Sequence, residues 1–260
     1  MPRERRITVG KGEARVWEEG EGEPLGFLAG FGGLPRWTPF LAELARTRRV
    51  IAPSLPGFPG ALGHDELDDV ADWVTATLDR LDASGLDGAD LVGVSLGAML
   101  AAEVAAFSRR SVRRLVLVSP LGLFDAADPT LDVFAQTPDQ LPALLCADPA
   151  RFVAHTAAPE GEDAAEWTIT TTRAAQAAAR LLWPLGDRGL RKRLHRIAAP
   201  TLVVTGSEDR ILPASYAARI TASIPGQTTR RTISAGHQVD LDAPAQLARA
   251  VEEFLAAQRA

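Results

Sequence analysis

Residues 91–107 restrict this chain more than any other stretch. An apolar run at 91–94 leads into Gly93-Val-Ser95-Leu-Gly97, and an alanine-rich segment over 96–107 leads out. A strand that passes directly into a helix through Gly-x-Ser-x-Gly makes a sharp elbow, which lifts one hydroxyl above the sheet edge. Cβ atoms at Gly93 and Gly97 would crowd that turn and the adjoining chain. Ser95 is thereby a candidate nucleophile, and the rest of the chain must supply a sheet for the elbow to stand on.

It does so in a regular order. Residues 6–9 and 14–18 read as an edge hairpin around Gly10-Lys11-Gly12, and apolar strands follow at 25–29, 50–52, 91–94 and 115–118. Helical periodicity separates them, with Trp37, Phe40, Leu41 and Leu44 over 37–46 and Leu67, Val70, Val74, Leu78 and Leu81 over 65–81. The strand at 115–118 is apolar without alternation, the pattern of a strand covered on both faces. Strand and helix in turn imply a mostly parallel sheet flanked by helices. From 121 to 194 no central strand is expected. Helical segments at 139–145, 149–154, 162–180 and 190–197 fill a stretch too long for an ordinary connection, which reads as an insertion over the sheet edge. The alternation resumes with strands at 201–205 and 228–233 and helices at 213–224 and 241–257.

A serine hydroxyl needs a base to take its proton, and the base needs a carboxylate to fix its tautomer. Of His64, His155, His195 and His237, the last lies between a strand and the final helix, where a loop can aim an imidazole at the carboxyl edge of the sheet. Asp209 leaves another strand through the turn Gly206-Ser-Glu-Asp209. Ser95, Asp209 and His237 follow one another in the order known for nucleophile, acid and base on such a sheet. Glu208 is the rival acid, and Asp125, just beyond the strand at 115–118, is another. The oxyanion that forms on attack needs fixed N–H donors. Leu96, at the start of the helix, and Phe31, in Gly30-Phe-Gly-Gly33, are the candidates, with Gly32 the alternative if that loop curls differently.

Leu28-Ala-Gly-Phe-Gly-Gly33, Gly93-Val-Ser-Leu-Gly97, Gly206-Ser-Glu-Asp209 and Gly236-His237 together resemble the α/β-hydrolase superfamily over essentially the whole chain. The resemblance implies an α/β fold with an eight-stranded, mostly parallel sheet. It divides the chain into a core of residues 1–120 and 195–260 and a helical cap of residues 121–194. Leu117-Val-Ser-Pro-Leu-Gly-Leu-Phe124 is similar to the corresponding stretch in small serine esterases and in meta-cleavage-product C–C hydrolases. Ala29-Gly30 stands where many relatives have His-Gly, which keeps the backbone donor and removes a histidine-supported loop. Serine at 95 separates the chain from the epoxide-hydrolase and haloalkane-dehalogenase branches, whose relatives attack with a carboxylate.

Composition narrows the partners. With 46% hydrophobic and 23% charged residues over 260 positions, the chain reads as one ordinary globular domain with an insertion. A formal charge of −5 offers phosphate no long-range attraction, so no nucleic acid partner is expected. The single Cys146 makes neither an internal disulfide nor a zinc-type pair, and no cofactor or metal is expected. Residues 1–20 carry basic side chains without a following apolar run, and no stretch is long enough to span a bilayer. The expectation is a cytoplasmic protein without stable membrane insertion, its choice between monomer and homodimer left open.

Gly30, Phe31, Gly32, Trp37, Met99, Leu121, Phe124, Phe134, Trp167, Leu182 and Trp183 are the candidate pocket residues, an apolar set suited to a small hydrophobic substrate. His155 is a candidate for facing that pocket from the cap. Arg109, Arg110, Arg113 and Arg114 read as a solvated face near a helix end. No arginine lies in the elbow or the oxyanion loop to clamp a substrate carboxylate, although Arg173 or Arg180 of the cap could supply one. The expected activity is hydrolysis of a carboxylic ester through an acyl-enzyme. The alternatives are hydrolysis of a C–C bond in a vinylogous diketone and a non-catalytic ligand receptor.

Overall fold

Strands β1 (Arg3–Val9) and β2 (Gly12–Glu19) pair antiparallel, and β2 pairs antiparallel with β4 (Arg49–Pro53). Every pairing beyond is parallel, through β3 (Pro24–Leu28), β5 (Ala89–Val94), β6 (Val112–Val118), β7 (Thr201–Gly206) and β8 (Thr228–Ile233). The result is one eight-stranded, mostly parallel sheet in the order β1-β2-β4-β3-β5-β6-β7-β8. This is a computed structural model describing residues 2–10 and 12–257; Lys11, at the centre of the expected hairpin turn, lies outside the described residues.

Helices α1 (Pro39–Leu44), α2 (Val70–Ala83) and α3 (Leu96–Phe107) occur in the first half, and α8 (Ser215–Ser223), α9 (Val239–Asp242) and α10 (Pro244–Ala257) in the last. The twofold alternation of the central strands divides them between two cores. Val92, Val94, Val116, Val118 and Val204 face Phe40 and Leu41 of α1 and Leu247 and Val251 of α10. Leu91, Leu115, Leu117 and Val203 face the other layer, with Val74 and Leu81 of α2 and the apolar face of α3. Between β6 and β7 stand α4 (Leu141–Leu145), α5 (Pro149–Thr156), α6 (Ala164–Leu182) and α7 (Leu190–Arg193), the helical cap insertion. Among the described residues no helix is long and apolar enough to cross a membrane.

Three of the boundaries that differ from the periodicity have a local cause. α2 begins at Val70 rather than 65, because Asp69 and Asp72 form a reciprocal capping box there, while His64–Glu66 make a separate 3-10 turn behind Gly63. α1 spans only Pro39–Leu44, capped by Thr38, and leaves Trp37 outside. The closing helix is two pieces, broken ahead of Pro244, whose nitrogen has no proton to continue a helix from α9.

Candidate active site

The parallel strands aim four loops at one edge of the sheet. β3 leads to the Gly30–Gly33 turn, β5 to Ser95, β7 to Asp209 and β8 to His237. Ser95 has φ 56° and ψ −117°, a conformation that costs an L-residue energy and that the surroundings must enforce. They do so through the main chain: the Ser95 N–H donates to Val118 O at 2.8 Å, and the Ser95 carbonyl accepts from Ala98, Met99 and Leu121. A Cβ at Gly93 would collide with the Gly97 carbonyl, and one at Gly97 with the Leu28 carbonyl, so glycine alone fits the elbow against β3.

The structure brings Ser95, His237 and Asp209 together. Ser95 Oγ lies 2.7 Å from His237 Nε2, and His237 Nδ1 lies 2.9 and 3.1 Å from the two Asp209 oxygens. Ser95 and His237 are fully buried. Burial pushes the Asp209 carboxyl up, but the His237 imidazole and the N–H groups of Leu212 and Ile211 outweigh it and hold the group below its ordinary value. An ionised carboxylate can only accept, so Nδ1 carries the proton. In the neutral imidazole Nε2 is then the free acceptor facing the serine hydroxyl.

Opposite Ser95 the Gly33 N–H closes a turn onto Gly30 O at 3.0 Å, with Gly32 at φ 83°. Among the described residues, neither the Phe31 nor the Leu96 N–H donates to a protein acceptor. Two side chains that no motif marks hold this turn. Gln238 Nε2 donates to Phe31 O at 3.1 Å, and His155 of α5 lies with Nε2 3.2 Å from Gly33 O. A carbonyl only accepts, so the His155 Nε2 carries a proton. Burial pushes this imidazole down to about 4, against the opposing pull of the Gly33 bond. No local signal in the sequence marks the reach of His155, since its partner lies 122 positions away.

The candidate pocket residues divide. Met99 is buried in α3, and Leu121 is tied to the elbow by its N–H bond to Ser95 O at 3.3 Å. Phe31 packs its ring 6.0 Å from that of Phe134 in the insertion, and Phe124 and Leu182 line a cavity of about 20 Å³ with Leu121. Trp167 is half-buried, its Nε1 donating to Thr156 O at 2.9 Å. Trp37 instead packs on Trp17 against the α1–α10 layer, and Trp183 is 55% exposed at the end of α6. The rival acids are occupied elsewhere: Glu208 meets Ser234, and Asp125 pairs with Arg219. Of the two cap arginines, Arg180 is engaged by Asp68 and Leu67 O, whereas Arg173 keeps a buried Nε without a partner. Among the described residues no group of three or more His, Cys, Asp or Glu is disposed to hold a metal ion.

The chain is 28% identical to 2-hydroxy-6-oxo-2,4-heptadienoate hydrolase of Pseudomonas putida over 98% of this chain and 96% of that one. It is 31% identical to the dihydrolipoyllysine-residue acetyltransferase component of the acetoin cleaving system of Pseudomonas putida, over 98% of this chain and 70% of that one. The solved meta-cleavage product hydrolase from Pseudomonas fluorescens superposes with a TM-score of 0.77 at 18% identity, covering 98% of each chain. The Alpha/beta hydrolase family matches residues 27–250. With that match spanning the elbow, the acid loop and the histidine loop on this sheet order, the chain belongs to the α/β-hydrolase family.

Proposed function

We propose that the protein is a serine hydrolase that cleaves a carbon–carbon bond beside a ketone. His237 takes the Ser95 proton as Oγ attacks the ketone carbon, and Asp209 stabilises the imidazolium that results. The Leu96 and Phe31 N–H groups receive the oxyanion. Its collapse breaks the C–C bond, and the electron pair delocalises into a conjugated ketone formed by prior enol-to-keto proton transfer. That carbon skeleton leaves with the proton from His237. Water, deprotonated by His237, then attacks the acyl-Ser95 ester, releasing a carboxylic acid and restoring the serine. One water is consumed: its OH ends on the acyl carbon and its proton on Ser95, replacing the serine proton that left with the departing fragment.

The observation that carries this choice of bond is the end-to-end similarity to the hydrolase named for 2-hydroxy-6-oxo-2,4-heptadienoate. Such a compound has an enol and a ketone at the ends of one conjugated diene, the arrangement this route requires. Ester hydrolysis, favoured by the residues alone, becomes the second reading. It is supported by the engagement of Arg180 with Asp68, which withdraws one cap cation from a substrate carboxylate, and by the apolar Met99 and Leu121 beside the elbow.

Turnover of 2-hydroxy-6-oxohepta-2,4-dienoate, followed by loss of its dienol absorbance, should exceed that of p-nitrophenyl butyrate in kcat/KM. Ser95→Ala should abolish both. Turnover of the ester alone would move the assignment to the second reading, and turnover that survives Ser95→Ala would overturn both.

A further inference from the structure

Gln238 directly follows His237 and is only 2% exposed. Its backbone is pinned on two sides. The N–H donates to Leu145 O at the end of α4 at 2.8 Å, and the carbonyl accepts from Leu241 and Asp242, both at 3.1 Å. From this fixed base the side chain crosses to the turn after β3. Phe31 O can only accept, so it is the amide nitrogen that faces it, at 3.1 Å. The other end of the amide lies against Gly30, where a Cβ would come within 2.8 Å of Oε1. One buried residue therefore connects the histidine loop, the insertion and the candidate oxyanion turn.

The turn has two peptide orientations to choose between. Gly32 at φ 83° has the third-residue conformation of a type II turn. Type I differs by a rotation of the central peptide through about 180°, which exchanges the places of the Phe31 carbonyl and the Gly32 N–H. Against the Gln238 amide nitrogen the first orientation makes a hydrogen bond, and the second sets donor against donor. Dipoles stabilise a developing charge only when their direction is fixed before the reaction.

We propose that Gln238 is a positioning residue that locks the Phe31–Gly32 peptide in this orientation and so fixes the turn whose preceding peptide, Gly30–Phe31, carries the Phe31 N–H near Ser95. This rests on the reading of the Phe31 N–H as an oxyanion donor. The test uses the full chain, with p-nitrophenyl butyrate turnover and the rate of Ser95 labelling by a fluorophosphonate as parallel readouts. Gln238→Leu keeps the bulk without the donor, and it should lower both rates about tenfold at every pH, with KM within about twofold of wild type. Gln238→Glu donates only when its carboxyl is protonated. Its rate relative to wild type should therefore be about tenfold down at pH 8 and recover as the pH falls toward 5. A purely structural side chain would give no such pH-dependent ratio. Wild-type rates in Gln238→Leu, or a Gln238→Glu ratio that stays constant with pH, would overturn the proposal while Ser95→Ala remains inert. Activity in Ser95→Ala would instead overturn the catalytic reading beneath it. If Gln238→Leu does not fold, the pH dependence of Gln238→Glu decides alone.

Discussion

The two ends of β5 bury carboxylate systems of opposite character. At the amino end, Asp90 is fully buried and its oxygens take Arg113 at 2.9 and 3.0 Å and Arg114 at 2.8 and 2.5 Å, with Arg48 3.7 Å away. Arg114 also donates to Leu255 O, and Arg48 to Glu252, which ties α10 to this edge. At the carboxyl end, Ser95 meets His237, and Asp209 holds the imidazole from behind. Both carboxylates are well partnered. Guanidinium does not give up a proton, whereas imidazole does so near neutrality. The same means of stabilising a buried charge thus yields a structural fixture at one end and, at the other, a geometry able to relay a proton.

If that division is right, substitutions at the two ends must fall on different observables. Ser95→Ala should lower kcat/KM by about 10⁴-fold or more while leaving the urea midpoint nearly unchanged. Asp209→Asn keeps the shape but favours the wrong imidazole tautomer, and a loss of about 10³- to 10⁴-fold in kcat is expected. Because the Asp209 carboxyl is held below its ordinary value, its contribution to stability is present above about pH 4 and fades as pH falls through the lowered value. Asp209→Asn should therefore lose stability relative to wild type at pH 7 and not in strong acid. Equal unfolding midpoints at both pH values would remove the carboxylate's structural share.

Asp90→Ala should show the converse. It leaves the buried Arg114 with only the half-exposed Glu23, 3.4 Å away, as a carboxylate partner, and a loss of about 3–5 kcal/mol in urea unfolding is expected, with kcat/KM per folded molecule unchanged. A large activity loss at native stability would break the division between the two ends.

Legibility in the sequence followed the distance over which each feature is determined. The elbow helix runs over 96–107 as expected, since its start and its composition are both local. A mostly parallel sheet flanked by helices was legible through the alternation of strand and helix, whereas the order of its strands was not, and the close approach of Ser95, Asp209 and His237 follows from three loops at carboxyl ends of parallel strands. Arg113 and Arg114 were not legible. Their residue types suit a solvated helix end, whereas they begin β6 and meet Asp90, more than twenty residues earlier. Trp37 and Trp183 fit an apolar pocket by type, yet one belongs to the α1–α10 layer and the other to the surface, a matter decided by packing alone. Gln238 and His155 reach partners 207 and 122 positions away, and no periodicity reports such distances.

A third buried carboxylate gives the comparison its finest test. Asp240, in α9 beside the histidine loop, has one oxygen without a partner, and burial pushes its carboxyl up to about 7. Unlike Asp90, it pairs with no guanidinium among the described residues. The folded chain therefore retains a proton that the unfolded chain releases above about pH 4, so this group lowers stability as pH rises from 4 to 7. His155 acts in the opposite sense. Its imidazole is pushed down to about 4, so the unfolded chain takes up a proton below about 6.5 that the folded chain refuses, and stability falls as pH drops through that window. The two slopes oppose each other over nearly the same range. Asp240→Asn should make stability rise more steeply with pH between 4.5 and 7 than in wild type, and His155→Gln should make it rise less or fall. Each change should be about 2–3 kcal/mol across the window, read from urea midpoints at constant m. Parallel curves for wild type and both variants would mean that neither group titrates there. The carboxylate of Asp240 would then have a charge partner after all, and the contrast with Asp90 would lose its basis.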